Sequence, residues 1–279
     1  MELNLEHYRE WIGRHETTRE TVTPQLVSRF NATFDLGSEP HPGDAVAPML
    51  HLCLALQSVP TNELSSDGHA ARGGFLPPVP LPQRMWAGGR IVFGRAIRVG
   101  DTVERSARIE NVQIKQGKSG TLCFVTIDHQ FSVDGEPVVQ EKQDIVYRGE
   151  SVGSSAPAVS ELAESGEHRR TVAVTTSLLF RYSALTFNGH RIHYDRPYAT
   201  GREGYPGLVV HGPLQASLLV HFAAALRDGE TPKRFDFRSV SALFDDSDFD
   251  LHANDDGERM RLWTAAPSGP VAMSAEASW

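Results

Sequence analysis

Apolar and polar residues alternate most regularly in the first half of the chain. Residues 102–114 carry Val103, Ala107, Ile109, Val112 and Ile114 as apolar positions. Residues 121–133 return after a turn at 116–120, and Asp134-Gly135 punctuates the chain before residues 138–147. Period-two alternation bounded by Gly- and Asp-containing turns predicts antiparallel strands. Residues 90–98 read as one more strand, after a Gly/Pro-rich loop at 68–89. Upstream, residues 5–15 read as helical. Residues 48–59 read as a short helix opened by Pro48, where a missing N–H costs little.

The second half repeats this plan. Residues 170–177 read as a strand, and residues 211–226 as an apolar helix stopped by Arg227-Asp228-Gly229. Residues 235–244, 248–253, 258–265 and 271–279 then read as strands. Residues 150–168, rich in Ser, Ala, Glu and Gly, lack a sustained apolar face and read as a linker. The expected organisation is an N-terminal unit at 1–149, a linker at 150–169 and a C-terminal unit at 170–279. Each unit is a helix followed by an antiparallel meander, which is an α+β arrangement, and the two suggest a tandem duplication.

Composition narrows the function classes. The chain of 279 residues is 40% hydrophobic and 22% charged, as in a soluble globular protein. No apolar run approaches the roughly 20 residues needed to span a bilayer, and the N-terminus lacks an apolar signal core, so a cytoplasmic protein without a membrane partner is expected. A net charge of −8 argues against a nucleic-acid partner, because neutralising phosphates needs a basic face. Cys53 and Cys123 sit in apolar surroundings and read as buried small hydrophobes.

Residues 180–216 concentrate the candidate chemistry: Asn188, His190, His193, Asp195 and His211, followed by Gly212 at the head of the apolar helix. Asn188 and His193 are five apart, about 140° around an ideal helix, so aiming both at one atom requires a break that Gly189 permits. His193 can exchange a proton near neutral pH, whereas Asn188 can only hold and orient a water. The first N–H groups of the apolar helix lack intrahelical partners and suit an oxyanion. His190, His193 and Asp195 lack a clear further ligand, so no metal site is expected. The acidic run at 245–248 lacks the Gly and distal Glu of a calcium loop and reads as a solvated turn.

These strings resemble the MaoC-like, or type 2, enoyl-CoA hydratases of the hot-dog fold. Residues 187–195, FNGHRIHYD, fall on that family's first motif and residues 207–212, GLVVHG, on its second. The family's catalytic His falls on His193. Its catalytic Asp falls on Asn188, and its Asn-Pro on His190-Arg191, both departures. The variant string, the 74–89 segment and the 115–120 segment are more similar to the branch of mesaconyl-CoA and itaconyl-CoA hydratases and mitochondrial-type hydroxyacyl-thioester dehydratases.

The resemblance implies a double hot-dog fold and hydration of a short branched dicarboxylic enoyl-CoA to citramalyl-CoA, as in itaconate degradation. It assigns the chemistry to His193, Asn188 and the Gly212 N–H. Arg191 or Arg84 would hold the free carboxylate, and Trp86, Gly207 and His211 would complete the substrate pocket. No cofactor is implied beyond the CoA of the substrate, and a homodimer is expected. A dehydratase of longer 3-hydroxyacyl thioesters, and a thioesterase or non-catalytic thioester-binding protein, are the alternatives.

Overall fold

A computed structural model describes residues 3–37, 39–117, 120–149 and 161–279. The chain opens with helix α1 (Leu5–Arg9), strand β1 (His15–Thr21) and helix α2 (Pro24–Phe34). Strands β2 (Gln83–Phe93), β3 (Thr102–Gly117), β4 (Gly120–Val133) and β5 (Glu136–Arg148) complete the first unit. The second unit comprises β6 (His168–Val172), α3 (Thr176–Leu185), α4 (Arg196–Gly201), α5 (Gly212–Leu226), β7 (Arg234–Ser239), β8 (Phe249–Asp255), β9 (Arg259–Ala265) and β10 (Val271–Ser278).

All ten strands form one sheet in the order β1-β3-β4-β5-β2-β7-β10-β9-β8-β6. Counted from each unit's own first strand, the two halves share one order, first-third-fourth-fifth-second. That shared topology bears out the expected duplication. The halves meet edge to edge where β2 pairs antiparallel with β7, Gly88 opposite Arg238 and Gly89 opposite Phe237. Glycine is required at this seam. A Cβ on Gly88 would lie 2.6 Å from the Phe237 carbonyl oxygen, and one on Gly89 would lie 2.5 Å from that of Lys142. The Trp86–Gly89 stretch, expected in a loop, is therefore strand, with a bulge between Trp86 and Gly88.

Helix α5 is the core of the second unit. Every residue from Leu214 to Ala224 is buried, so the helix shows no polar face. In the first unit the expected helix over 48–59 is only a 3-10 turn, Leu50–Cys53; the chain leaves it through Leu54 in an extended conformation and Ala55 at φ 52°. The helix of that unit is α2. Its start is signalled by Thr23, whose side chain accepts from the Leu26 N–H, and by Pro24 in the first turn. The expected strand over 170–177 likewise ends at Val172, because Thr175 caps α3 by accepting from Leu178. The expected helix over 5–15 stops at Arg9; the chain turns at Gly13, φ 86°, into the Thr-rich strand β1. Of the expected linker, residues 150–160 lie outside the described residues, as do Lys118 and Ser119, and residues 168–169 belong to β6. Both cysteines are buried and free.

Candidate active site

Helix α3 delivers the first site residue. Its C-terminus closes as a Schellman turn: the Asn188 N–H donates to Ser183 at 2.8 Å and the Phe187 N–H to Ala184 at 3.4 Å. Such a turn requires a left-handed residue, and here it is Phe187 at φ 49° rather than glycine. The Asn188 Oδ1 then accepts from the His190 N–H at 3.0 Å. The carbonyl side of the amide is committed to the backbone, leaving its NH2 to hold a water.

After Gly189 the chain enters a 3-10 turn, Arg191–His193, which supplies the break that the Asn188–His193 spacing required. His193 Nδ1 lies 2.7 Å from the Val209 carbonyl oxygen. A carbonyl only accepts, so Nδ1 carries the proton and Nε2 offers a lone pair. Burial drives the His193 pKa down to about 4, against the raising effect of the Val209 carbonyl. The ring is therefore neutral and ready to accept a proton at pH 7. It stacks on His211, centroids 3.6 Å apart, and His211 is fixed in turn by Ser183 Oγ at 2.8 Å from its Nε2. Burial holds His211 neutral as well.

Gly212 is the first residue of α5, so its N–H has no intrahelical acceptor, and Pro213 after it has no N–H at all. A Cβ on Gly212 would meet the Trp86 ring at 3.2 Å. Asn188, His193, Gly212, Trp86 and Arg84 all line one cavity of about 1060 Å³, which runs between the two units. Its mouth carries the exposed apolar side chains Phe180, Phe187 and Val240. Trp86 Nε1 is buried without an acceptor among the described residues, a donor left for a bound molecule.

Three expected substrate contacts fall off the cavity wall. Arg191 is spent on Asp195, at 2.9 and 2.8 Å, and on the Ser66 carbonyl at 2.9 Å, with its guanidinium over the Tyr198 ring. Gly207 packs on Asp245, where a Cβ would come within 2.6 Å of a carboxylate oxygen. Asp245 itself pairs with Arg196 and accepts from the Leu208 N–H, so the acidic run at 245–248 is a structural anchor and not only a solvated turn. His211 contacts His193 instead of the cavity. Asp195 caps α4 by accepting from the Tyr198 N–H.

Sequence reasoning missed one contribution from the first unit. The loop through Asp67, Gly68 and His69 docks on the motif: the Arg191 N–H donates to the Asp67 carbonyl at 2.9 Å. Gly68 faces Gly189 so closely that a Cβ on it would lie 1.8 Å from the Gly189 oxygen. His69 thereby enters the cavity wall beside His190, ring centroids 4.1 Å apart. Its Nδ1 lies 3.0 Å from Asp67 Oδ2. Asp67, His69 and His190 are the one set of potential metal-ligating groups gathered within 4.8 Å among the described residues, but Asp67 and His69 already satisfy one another.

Comparison with known proteins gives this geometry a context. Residues 49–245 match the family described as hydroxyacyl-thioester dehydratase type 2. The chain is 43% identical, over 95% of its length and 95% of the relative's, to the mesaconyl-C(4)-CoA hydratase of Chloroflexus aurantiacus. Among solved structures it resembles a MaoC-like dehydratase from Phytophthora capsici, with a TM-score of 0.72 at 14% identity, covering 99% of each chain. It also resembles a Mycobacterium tuberculosis protein with a double hot-dog fold, with a TM-score of 0.57 at 13% identity, covering 96% of each chain.

Proposed function

Because the chain belongs to the hydroxyacyl-thioester dehydratase type 2 family of MaoC-like, double hot-dog enzymes, and is a CoA-ester hydratase, we propose that its substrate is a short branched dicarboxylic enoyl-CoA. Mesaconyl-CoA and itaconyl-CoA are the candidates, and citramalyl-CoA is the product. The observation that carries this reading is Arg84. It lines the cavity and makes no ion pair among the described residues. After the dominant effect of burial, its charge helps to depress both His69 and His190.

In a mesaconyl thioester acylated at C4, the free carboxylate sits on the β-carbon, the atom that water attacks. Its cationic partner must then stand beside the proton-transfer groups, and Arg84 is such a partner; a guanidinium can bind a carboxylate through two parallel hydrogen bonds. The cavity volume exceeds what a five-carbon acyl group needs and leaves room for the pantetheine arm of CoA.

In this mechanism, written for the mesaconyl thioester acylated at C4, the Asn188 amide orients the water; on an itaconyl thioester, whose double bond joins the β-carbon to a methylene, the proton would go to that methylene. The water gives a proton to an imidazole as its oxygen bonds the β-carbon. The double-bond electrons move toward the thioester oxygen, which takes up negative charge against the Gly212 N–H. His193 returns a proton to the α-carbon. Removing one oxyanion donor typically costs about 3–4 kcal/mol of barrier.

The test is a panel of mesaconyl, itaconyl and crotonyl thioesters, followed by loss of the conjugated chromophore and by mass for the gain of water. Preference for the dicarboxylic esters is expected. Turnover of crotonyl-CoA with mesaconyl-CoA and itaconyl-CoA inert would refute the substrate reading.

A further inference from the structure

We propose that His69, held by Asp67, is a second catalytic residue, the base that takes the proton from the attacking water. This deepens the hydratase reading above and rests on it. Hydration needs two proton transfers, one at oxygen and one at the α-carbon. Asn188 has no proton-accepting group, and of the two motif imidazoles that line the cavity, burial and the neighbouring His69 and His193 hold His190 far below its ordinary value, which leaves His193 as the motif's base. The first unit supplies the second.

His69 and His193 share one chemical state. Each donates its Nδ1 proton to a fixed acceptor, Asp67 Oδ2 at 3.0 Å and the Val209 carbonyl at 2.7 Å, and each keeps Nε2 as a lone pair. The acceptors differ in charge. Burial pushes Asp67 up, but the hydrogen bond and charge of His69 hold it below the usual carboxylate range, so it is an anion. An imidazolium formed on His69 is stabilised by that anion, whereas one on His193 faces only a carbonyl dipole. The more readily charged imidazole suits the water.

The loop is also built to keep His69 in place. Arg191 grips its Ser66 and Asp67 carbonyls, and two glycines, Gly68 and Gly189, face each other with no room for a side chain. A group that must meet a reacting atom gains from being held in place in this way.

The proton count closes. Water loses one proton to His69 Nε2 as the carbon–oxygen bond forms and the double-bond pair becomes the enolate held by Gly212. His69 passes that proton through cavity water to Nε2 of His193, and the imidazolium formed there gives it to the α-carbon. Both imidazoles end neutral, and one water has been added.

The experiment uses the full chain with His69→Gln and, because that variant could perturb the loop, Asp67→Asn, which keeps a side chain of the same shape. Two rates are read: hydration of the best ester of the panel, and exchange of the product's α-hydrogen with deuterated water. In His69→Gln, kcat for hydration should fall by roughly 10²-fold or more while KM stays within threefold. The α-hydrogen exchange should stay within threefold of wild type, because it needs only His193 and Gly212. Asp67→Asn should show the same split with a smaller fall. Hydration within threefold of wild type in both variants overturns the proposal, as does a parallel loss of hydration and exchange, which makes the loop merely structural. Wild-type hydration abolished by a chelator and restored by a divalent metal also overturns it. A wild type inert on every ester overturns the hydratase reading itself.

Discussion

Lowering the pH from 7 to 5 should cost this fold stability through its buried neutral histidines, and His221 isolates the effect away from the active site. On α5, His221 Nε2 donates to the Pro48 carbonyl at 2.9 Å, while its Nδ1 is buried with no partner among the described residues. The rings of Phe34 and Phe30 stand edge-on at 4.9 and 5.8 Å. A proton added at Nδ1 would find no acceptor. Burial, opposed by the Pro48 carbonyl and assisted by the charge of Arg170, drives the His221 pKa from 6.5 to about 4. The unfolded state therefore binds a proton near pH 6.5 that the folded state refuses until about pH 4. The associated stability is present above pH 6.5 and is lost as the pH falls between these values.

At pH 5 the unfolded imidazole is almost fully protonated and the folded one hardly at all, so linkage gives a loss of about 2 kcal/mol from His221 between pH 7 and 5. His193, with the same shift, adds about as much by the same linkage. Urea denaturation at both pH values reads the sum. His221→Gln keeps an amide donor for Pro48 but cannot titrate. Its stability should fall by about 2 kcal/mol less than that of wild type over the interval, whatever its starting value. Equal losses in the two proteins would refute the argument, because the remaining acid-sensitive groups are common to both.

Four substitutions test the site. His193→Ala, still folded, should lose about 10²–10⁴-fold in hydration rate, and retention of more than a tenth of the activity would remove His193 from the chemistry. Arg84→Ala should lower the ratio of kcat/KM for mesaconyl-CoA over crotonyl-CoA, and an unchanged ratio would exclude Arg84 as the carboxylate partner. Phe187→Gly should raise stability by about 1 kcal/mol, by relieving a left-handed non-glycine residue, yet raise KM, because Phe187 lines the cavity mouth; thermal denaturation and steady-state kinetics separate the two. Gly68→Ala should lower both stability and kcat, since its Cβ would overlap the Gly189 oxygen and force the loop off the motif; wild-type values of both would mean that the docking does not matter.

Much of this was legible in the sequence, and the gaps share a cause. The long alternating strands β3 and β4 and the uniformly apolar α5 are local patterns, and they appear near where periodicity puts them. Helices α2 and α3 were announced by Thr caps, but their short apolar stripes were outweighed by stronger neighbouring patterns. The Asn188 and His193 positions follow from a contiguous motif. His69 does not, because its approach to His190 depends on a Gly–Gly contact between segments 121 residues apart in sequence, 68 and 189. Arg191 misled for the complementary reason. A charge inside a motif reads as a substrate contact until the structure shows Asp195, Ser66 and Tyr198 already engaging it.

The asymmetry of the two units follows from what each must provide. The proposed mechanism uses the N-terminus of the long central helix of the second unit: Gly212 offers an N–H free of intrahelical bonding because the helix starts there. The first unit has the same strand order, but only the Leu50–Cys53 turn stands in place of such a helix. Its chain runs instead through the loop that carries Asp67, His69 and Arg72 and into Arg84 on β2, and these line the cavity or brace its wall. Leu52 of that short turn is itself part of the cavity wall. On the proposed mechanism, two copies of one fold divide the task, the second supplying the oxyanion donor and His193, the first supplying volume, a cation and a carboxylate-backed imidazole. The seam glycines Gly88 and Gly89 hold the two halves at the close spacing this division requires.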